Sequence, residues 1–285
     1  MLKNNVNDPE ATHSITDRDM FYNAIDGKIT VDELKKNINL RVNHQWTKYS
    51  WNIMDGSQSC RNNCKYCYMI SLNKRFNRET EIEEVFKCHT SKVNKGWKQV
   101  EDKDSILYMF PSSHDIFPEM VDNYILVAKK IMDANHRILC VTKPNLTCIK
   151  KICNEMQNYK DKIKFRFTIS TDNDDILKVW ETDAPNYKER IKCLKHAYKN
   201  GYETSVSMEP FLSDPTNVIN KVDKYVTDSI WIGTMSDLDK MNVDYKEIEK
   251  LEELYSKENL CNLVTTFRNN KKIFWKISVM KICLL

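Results

Sequence analysis

Three cysteines stand close together as Cys60-Arg-Asn-Asn-Cys64-Lys-Tyr-Cys67, a C-x3-C-x2-C spacing. Thiolates grouped in this way are donors for zinc or for an iron–sulfur cluster. Three is one fewer than a closed structural zinc site or a fully ligated four-iron cluster takes. Two chemistries follow. A distant His44, His89 or Cys88 completes a structural zinc site, as in a non-enzymatic binding module, or the fourth position is open and one iron of a cluster binds a small molecule. Chance grouping of structural cysteines is the third reading, disfavoured because buried thiols need no such spacing. The open position is the better reading. The other seven cysteines are scattered, and Cys140 in Arg-Ile-Leu-Cys-Val-Thr reads as a small buried hydrophobe. A second cluster from Cys140, Cys148 and Cys153 is disfavoured, because Cys148 and Cys153 do not share a helix face.

The elements that position these thiols are legible in the apolar pattern. A first strand is expected over Trp46–Ile53, followed by a loop carrying Cys60 and a helix entered at Cys64 and Cys67 that runs to about Asn77. Further strands are expected at Ile106–Phe110, Arg137–Thr142, Lys164–Ile169, Glu203–Met208 and Ser229–Gly233. Helical patterns lie between and after them, at Glu119–Ala134, Leu146–Tyr159, Tyr187–Asn200, Asn217–Val226 and Tyr245–Lys257. Val121, Ile125, Ala128 and Met132 show the period, as do Ile191, Leu194 and Tyr198. Six strand–helix units with right-handed crossovers predict an α/β fold, a partial (βα)6 TIM-like barrel with a curved parallel sheet. Residues 46–260 form this domain, 1–45 an N-terminal extension with one helix near Thr30–Asn37, and 261–285 a tail. The tail's apolar end is expected to close the barrel bottom or cover an edge strand.

Ligands of such folds bind at the carboxyl ends of the strands. Those ends carry Ser112, Ser113, His114 and Asp115, then Lys143, then Ser170 and Thr171, then Glu209. His114 and Glu209 are the candidate catalytic residues, with a structural histidine and a surface ion pair as the plainer alternatives. Composition narrows the rest. The chain has 285 residues, a formal charge of +4 and 41% hydrophobic residues, which excludes a disordered chain. It has five glycines, none spaced as G-x-G-x-x-G or a Walker loop, which excludes classical dinucleotide and P-loop chemistry. No apolar run approaches the ~18 residues of a membrane span, and Met1-Leu-Lys-Asn-Asn starts no export signal. A cytoplasmic chain with reduced thiols is expected.

The motif, with Tyr66 just before its last cysteine and its place after a first strand, resembles the signature of radical S-adenosylmethionine enzymes. The resemblance implies that Cys60, Cys64 and Cys67 hold a 4Fe-4S cluster whose free iron chelates S-adenosylmethionine. Reductive cleavage then gives a 5′-deoxyadenosyl radical that takes hydrogen from a substrate, the electron coming from a flavodoxin- or ferredoxin-like reductant. It further implies that Tyr66 packs near adenine, that Ser112, Ser113 and Asp115 replace the usual Gly-Gly-Glu-like grip on the methionine amino group, and that Lys143 pairs with the methionine carboxylate. Ser170 and Thr171 bond the ribose, and Glu209 faces an amino group or the substrate. Cys64-Lys-Tyr-Cys-Tyr68, His114-Asp-Ile116, Val141-Thr-Lys-Pro144 and Ser207-Met-Glu-Pro210 are similar to the spore photoproduct lyase branch, over about residues 46–240. The lyase's hydrogen-returning cysteine is missing from Met109–Ile116, so a lyase-like enzyme is expected in place of a DNA-lesion repair lyase. Its substrate is a small molecule, a peptide or a nucleic acid. For the last, Lys74, Arg75, Arg78, Lys92, Lys95 and Lys98 with Trp97 form a candidate basic rim, interleaved with acids that favour a solvated mixed surface.

Overall fold

The computed structural model describes residues 9–37, 46–47, 49–54, 60–77 and 88–285. Among these, seven strands form one sheet: β1 (Tyr49–Ser50), β2 (Leu107–Met109), β3 (Arg137–Thr142), β4 (Ile163–Thr168), β5 (Glu203–Met208), β6 (Ile230–Ile232) and β7 (Ile273–Trp275). Every neighbouring pair is parallel and the spatial order follows the sequence. The sheet curls into a half-barrel, as the alternation of strands and helices predicts. The helices are α1 (Pro9–Ile25), α2 (Val31–Asn37), α3 (Tyr68–Arg75), α4 (Thr90–Val93), α5 (Val121–Asp133), α6 (Leu146–Glu155), α7 (Asp174–Trp180), α8 (Tyr187–Lys199), α9 (Thr216–Val222), α10 (Tyr245–Leu254), α11 (Lys257–Thr266) and α12 (Ile277–Leu284).

The two-residue period of the strands sorts side chains between the faces. Phe165, Phe167, Val206, Met208, Ile230, Ile232, Ile273 and Trp275 enter the buried core, with Val127 and Ile131 of α5, Ile149 and Ile152 of α6, and Leu194 and Ala197 of α8. The alternate residues are polar or aromatic. Arg166 of β4 is fully buried, donates to Ser205 Oγ at 2.8 Å, and lies over the rings of Trp46 (4.6 Å) and Trp231 (5.4 Å). One face of the sheet thus builds the apolar layer, and the other is left for polar chemistry.

Three elements differ from the sequence pattern. The first strand is shorter than expected: the described ladder is Tyr49–Ser50 against Tyr108 and Met109, while Trp46 turns onto Arg166 and Lys276. The sheet has seven strands where six were expected. Ile273–Trp275 pairs with Ile230–Ile232, so the tail covers the β6 edge as a strand of its own. This strand is only three residues long and is flanked by lysines, and α11 supplies its crossover. The N-terminal extension is anchored there too. Arg18 of α1 donates to the carbonyls of Ile273 (3.1 Å) and Arg268 (2.8 Å), and Trp275 Nε1 donates to the Tyr22 hydroxyl at 2.9 Å. The helix α7 is a third addition. It is short, and Asn173 caps it by accepting from the backbone of Asp175 at 2.9 Å.

Candidate functional site

The cysteine loop sits on the loops that follow β2, β3 and β4. Asn63 adopts φ 46° between Cys60 and Cys64, a left-handed conformation that asparagine tolerates better than most residues. The Cys67 amide donates to the Cys64 carbonyl at 3.1 Å, and α3 begins at the next residue. Cys64 also forms an antiparallel bridge with Glu181, just past α7, and the Lys65 amide donates to the Trp180 carbonyl at 2.9 Å. Backbone bonds on both sides therefore fix the central thiol.

Asp115 ties the loop to the end of β3. One carboxylate oxygen accepts from Thr142 Oγ1 (2.8 Å) and from the Lys143 amide (2.6 Å). The other accepts from Asn62 Nδ2 (2.6 Å) and from the Cys60 thiol (3.7 Å). Asn52 secures the adjacent segment by accepting from the Ser112 and Ser113 amides and donating to Ser112 Oγ. Tyr68 donates to the Ser112 carbonyl at 3.0 Å.

A buried charged group lies beneath Cys64. Glu181 and Arg190 form an ion pair with no exposed side-chain surface. The remaining Glu181 oxygen accepts from the Tyr66 hydroxyl and from Ser170 Oγ at 2.6 Å. The Lys143 ammonium lies over the Tyr66 ring, 5.4 Å from its centre. Burial alone would raise the Glu181 carboxyl, but Arg190, then Lys143, and the bonds from Ser170 and Tyr66 bring it down to about 2. Burial pushes the Cys64 thiol up to about 12, with Lys143 opposing, and it raises Cys60 and Cys67 as well. Metal binding here must therefore displace protons from all three thiols. Neither Glu181 nor Arg190 stands out in the sequence, because an acid in Val-Trp-Glu-Thr-Asp and a base in Lys-Glu-Arg look like ordinary helix-end charges.

The other sequence candidates divide. Ser112, Ser113 and Lys143 lie around the cysteine loop and are partly buried. Asp115 has both oxygens engaged, as described. The Ser170 hydroxyl donates to Glu181, and Thr171 Oγ1 pairs with Ser213 Oγ at 2.6 Å. His114 is buried with Nδ1 2.9 Å from the Asp115 carbonyl. Glu209 pairs with Lys276 at 3.1 Å, its side chain 34% exposed. Gly233 makes room for that pair: a Cβ there would lie 2.9 Å from Lys276 Cγ and 3.0 Å from Glu209 Cγ. Trp97 is not a free stacking platform. It packs edge-on against Trp51 and Tyr108, with the Lys95 ammonium above it. Cys148, Cys153 and Cys193 are buried core residues. His44 and Arg78 lie outside the described residues.

The donor set can be tested against the group that the motif implies. Cys88 is half-buried beside Asn123. Asp115, the acid nearest Cys60, already accepts four bonds. As placed, no three Cys, His, Asp or Glu side chains among the described residues close on a common point to hold a single ion. Donors at separate corners of a cluster need no such convergence, and the Lys143 cation beside Cys64 and Cys67 offsets thiolate charge. Three thiols, with the nearest carboxylate already engaged by Thr142, the Lys143 amide, Asn62 and Cys60, fit three corners of a four-iron cluster.

A family model described as "Protein of unknown function (DUF5131)" matches residues 41–254, well over half of the sequence, and the chain belongs to that family. A curated relative, the uncharacterized protein ORF301 of Acidianus two-tailed virus, is 24% identical over 180 residues, 57% of this chain and 56% of its own. The chain thus spans about half the length of the curated relative it matches. Among solved structures, Streptococcus suis SuiB bound to precursor peptide SuiA aligns with a TM-score of 0.52 at 11% identity, covering 80% of this chain and 48% of that one. SuiB bound to S-adenosylmethionine aligns with a TM-score of 0.43 at 10% identity, covering 80% and 45%. The first alignment shows a shared fold. No helix among the described residues is long and apolar enough to cross a membrane.

Proposed function

We propose that this member of the DUF5131 family is a radical S-adenosylmethionine enzyme, with Cys60, Cys64 and Cys67 as the ligands of a 4Fe-4S cluster. The observation that carries this reading is the set of three closely spaced thiols at the carboxyl-end loops of a parallel half-barrel, with the Lys143 ammonium over the ring of Tyr66, which stands between the last two of them. The fold shared with SuiB is compatible with it. When bound, the cluster supplies one electron for cleaving the carbon–sulfur bond of S-adenosylmethionine, and so the radical that removes hydrogen from a substrate.

The chain's own residues bind, aim and shield. Lys143 presents an ammonium to the methionine carboxylate as a point charge. The Ser112 and Ser113 loop, held open-faced by Asn52, offers hydroxyls and carbonyls to the methionine amino group. Tyr66 gives one wall of the pocket, its ring fixed by its hydroxyl bond to Glu181. A one-electron reductant of the flavodoxin or ferredoxin kind feeds the site.

Metal content after anaerobic purification tests the ligand assignment. Iron with acid-labile sulfide near four of each per chain is the expected result. One zinc per chain with no iron overturns it and leaves a structural zinc module.

A further inference from the structure

Four charged side chains meet at the cysteine loop: Asp115, Lys143, Glu181 and Arg190. Their partners are unevenly divided. Asp115 is spent on Thr142, the Lys143 amide, Asn62 and the Cys60 thiol. Arg190 is held rigidly. Its Nε donates to the Pro185 carbonyl at 2.7 Å, one terminal nitrogen to the Thr168 carbonyl at 3.3 Å, and the other to Glu181. Glu181 has Arg190 on one oxygen, and Tyr66 and Ser170 on the other. Lys143 is the cation left over: among the described residues it makes no ion pair with Glu181, and its ammonium rests over the ring of Tyr66, the residue two after Cys64 and one before Cys67.

We propose that Arg190 is a positioning residue that sorts these charges, occupying Glu181 so that the Lys143 ammonium is left to the thiolates of Cys64 and Cys67. The proposal rests on the cluster reading above. The Lys143 ammonium lies over the Tyr66 ring and the Tyr66 hydroxyl donates to Glu181, so Glu181 is the carboxylate reached through that one side chain. A carboxylate buried without a cation is costly, and a flexible lysine stem nearby is the group able to relieve it. Without the guanidinium, the ammonium swings to Glu181 and the thiolates lose their counter-charge. Positive charge near a cluster favours its reduced form, so its removal lowers the reduction potential. The Arg190 charge itself acts in the same direction, which is why the test separates the two effects through Lys143.

The test uses reconstituted holoprotein, titrated with redox mediators and followed by the electron paramagnetic resonance of the reduced cluster. Arg190→Met is expected to lower the midpoint potential, and to lower it by less when Lys143→Met is already present. Glu181→Gln together with Arg190→Met, which leaves nothing to sort, is expected to return the potential to the wild-type value. An equal shift in both Lys143 backgrounds, or no shift, overturns the proposal. Should Arg190→Met not fold, the paired neutral variant decides alone, and a potential below wild type in that protein overturns the proposal. A wild-type protein that takes up no iron and sulfide overturns the cluster reading and this inference together, whereas a loaded protein with the wrong pattern overturns only the inference.

Discussion

Cys60, Cys64 and Cys67 are alike in the sequence and differ in their surroundings: Cys60 meets a carboxylate, while Cys64 and Cys67 face a lysine. Each is a required ligand on this account. Cys60→Ala, Cys64→Ala or Cys67→Ala is expected to lose most of the bound iron, and Cys88→Ala to keep it, measured by iron content and the absorbance of the cluster. Full iron loading in Cys64→Ala contradicts the assignment. Asp115 is tested in iron-free protein. An asparagine there directs N–H groups at donors from Thr142 and Lys143 or at Asn62 and Cys60, leaving buried partners unsatisfied. Asp115→Asn should cost about 1–3 kcal/mol in denaturant unfolding, and an unchanged midpoint would show that the carboxylate is not organising the loop. The three thiols were legible at this scale because their spacing is local. Glu181 and Arg190 were not, because their meeting with Cys64 depends on the chain returning after β4, which no local pattern records. The hydroxyls of Ser170 and Thr171 lie at a strand end, as the sequence places them, and bond to Glu181 and Ser213.

Among the elements, β3 and β5 follow the apolar runs residue for residue, since both are long enough for alternation to show. The short strands were harder. Tyr49–Ser50 has no apolar pattern of its own, and Ile273–Trp275 reads as a tail until the β6 edge is seen to need a partner. That edge is closed jointly by α1, whose Arg18 donates to three carbonyls in and just before β7. Arg18→Ala is expected to destabilise the protein by about 1–3 kcal/mol, with hydrogen exchange rising first in 268–275; exchange unchanged there would show that α1 does not secure the strand. The ion pair between Glu181 and Arg190 joins α7 to α8, and its pH signature has a definite sign. The Glu181 carboxyl lies at about 2 in the folded protein against an ordinary 4.5. A carboxyl depressed by folding adds stability that is complete above its unfolded value and is lost as pH falls through the folded one. Denaturant unfolding from about pH 5 to about pH 2 should thus show wild type losing more stability than Glu181→Gln with Arg190→Met. Parallel losses would contradict the pairing.

At the scale of the molecule, the parallel half-barrel gathers loops from β2, β3 and β4 around the cysteine loop and sets Glu209 and Lys276 at the ends of β5 and β7. The half-barrel was legible because strand–helix alternation leaves few alternatives. The chemistry was legible only as far as three thiols reach, and the same fold supports different substrates through loop variation. The central claim is that these thiols hold a cluster open to S-adenosylmethionine. The direct measurement is made on anaerobically reconstituted, chemically reduced protein incubated with S-adenosylmethionine and analysed for 5′-deoxyadenosine. The account predicts that 5′-deoxyadenosine forms with wild type and is absent with Cys64→Ala; no 5′-deoxyadenosine from a fully loaded, reduced wild-type protein, or equal amounts from both proteins, would contradict it.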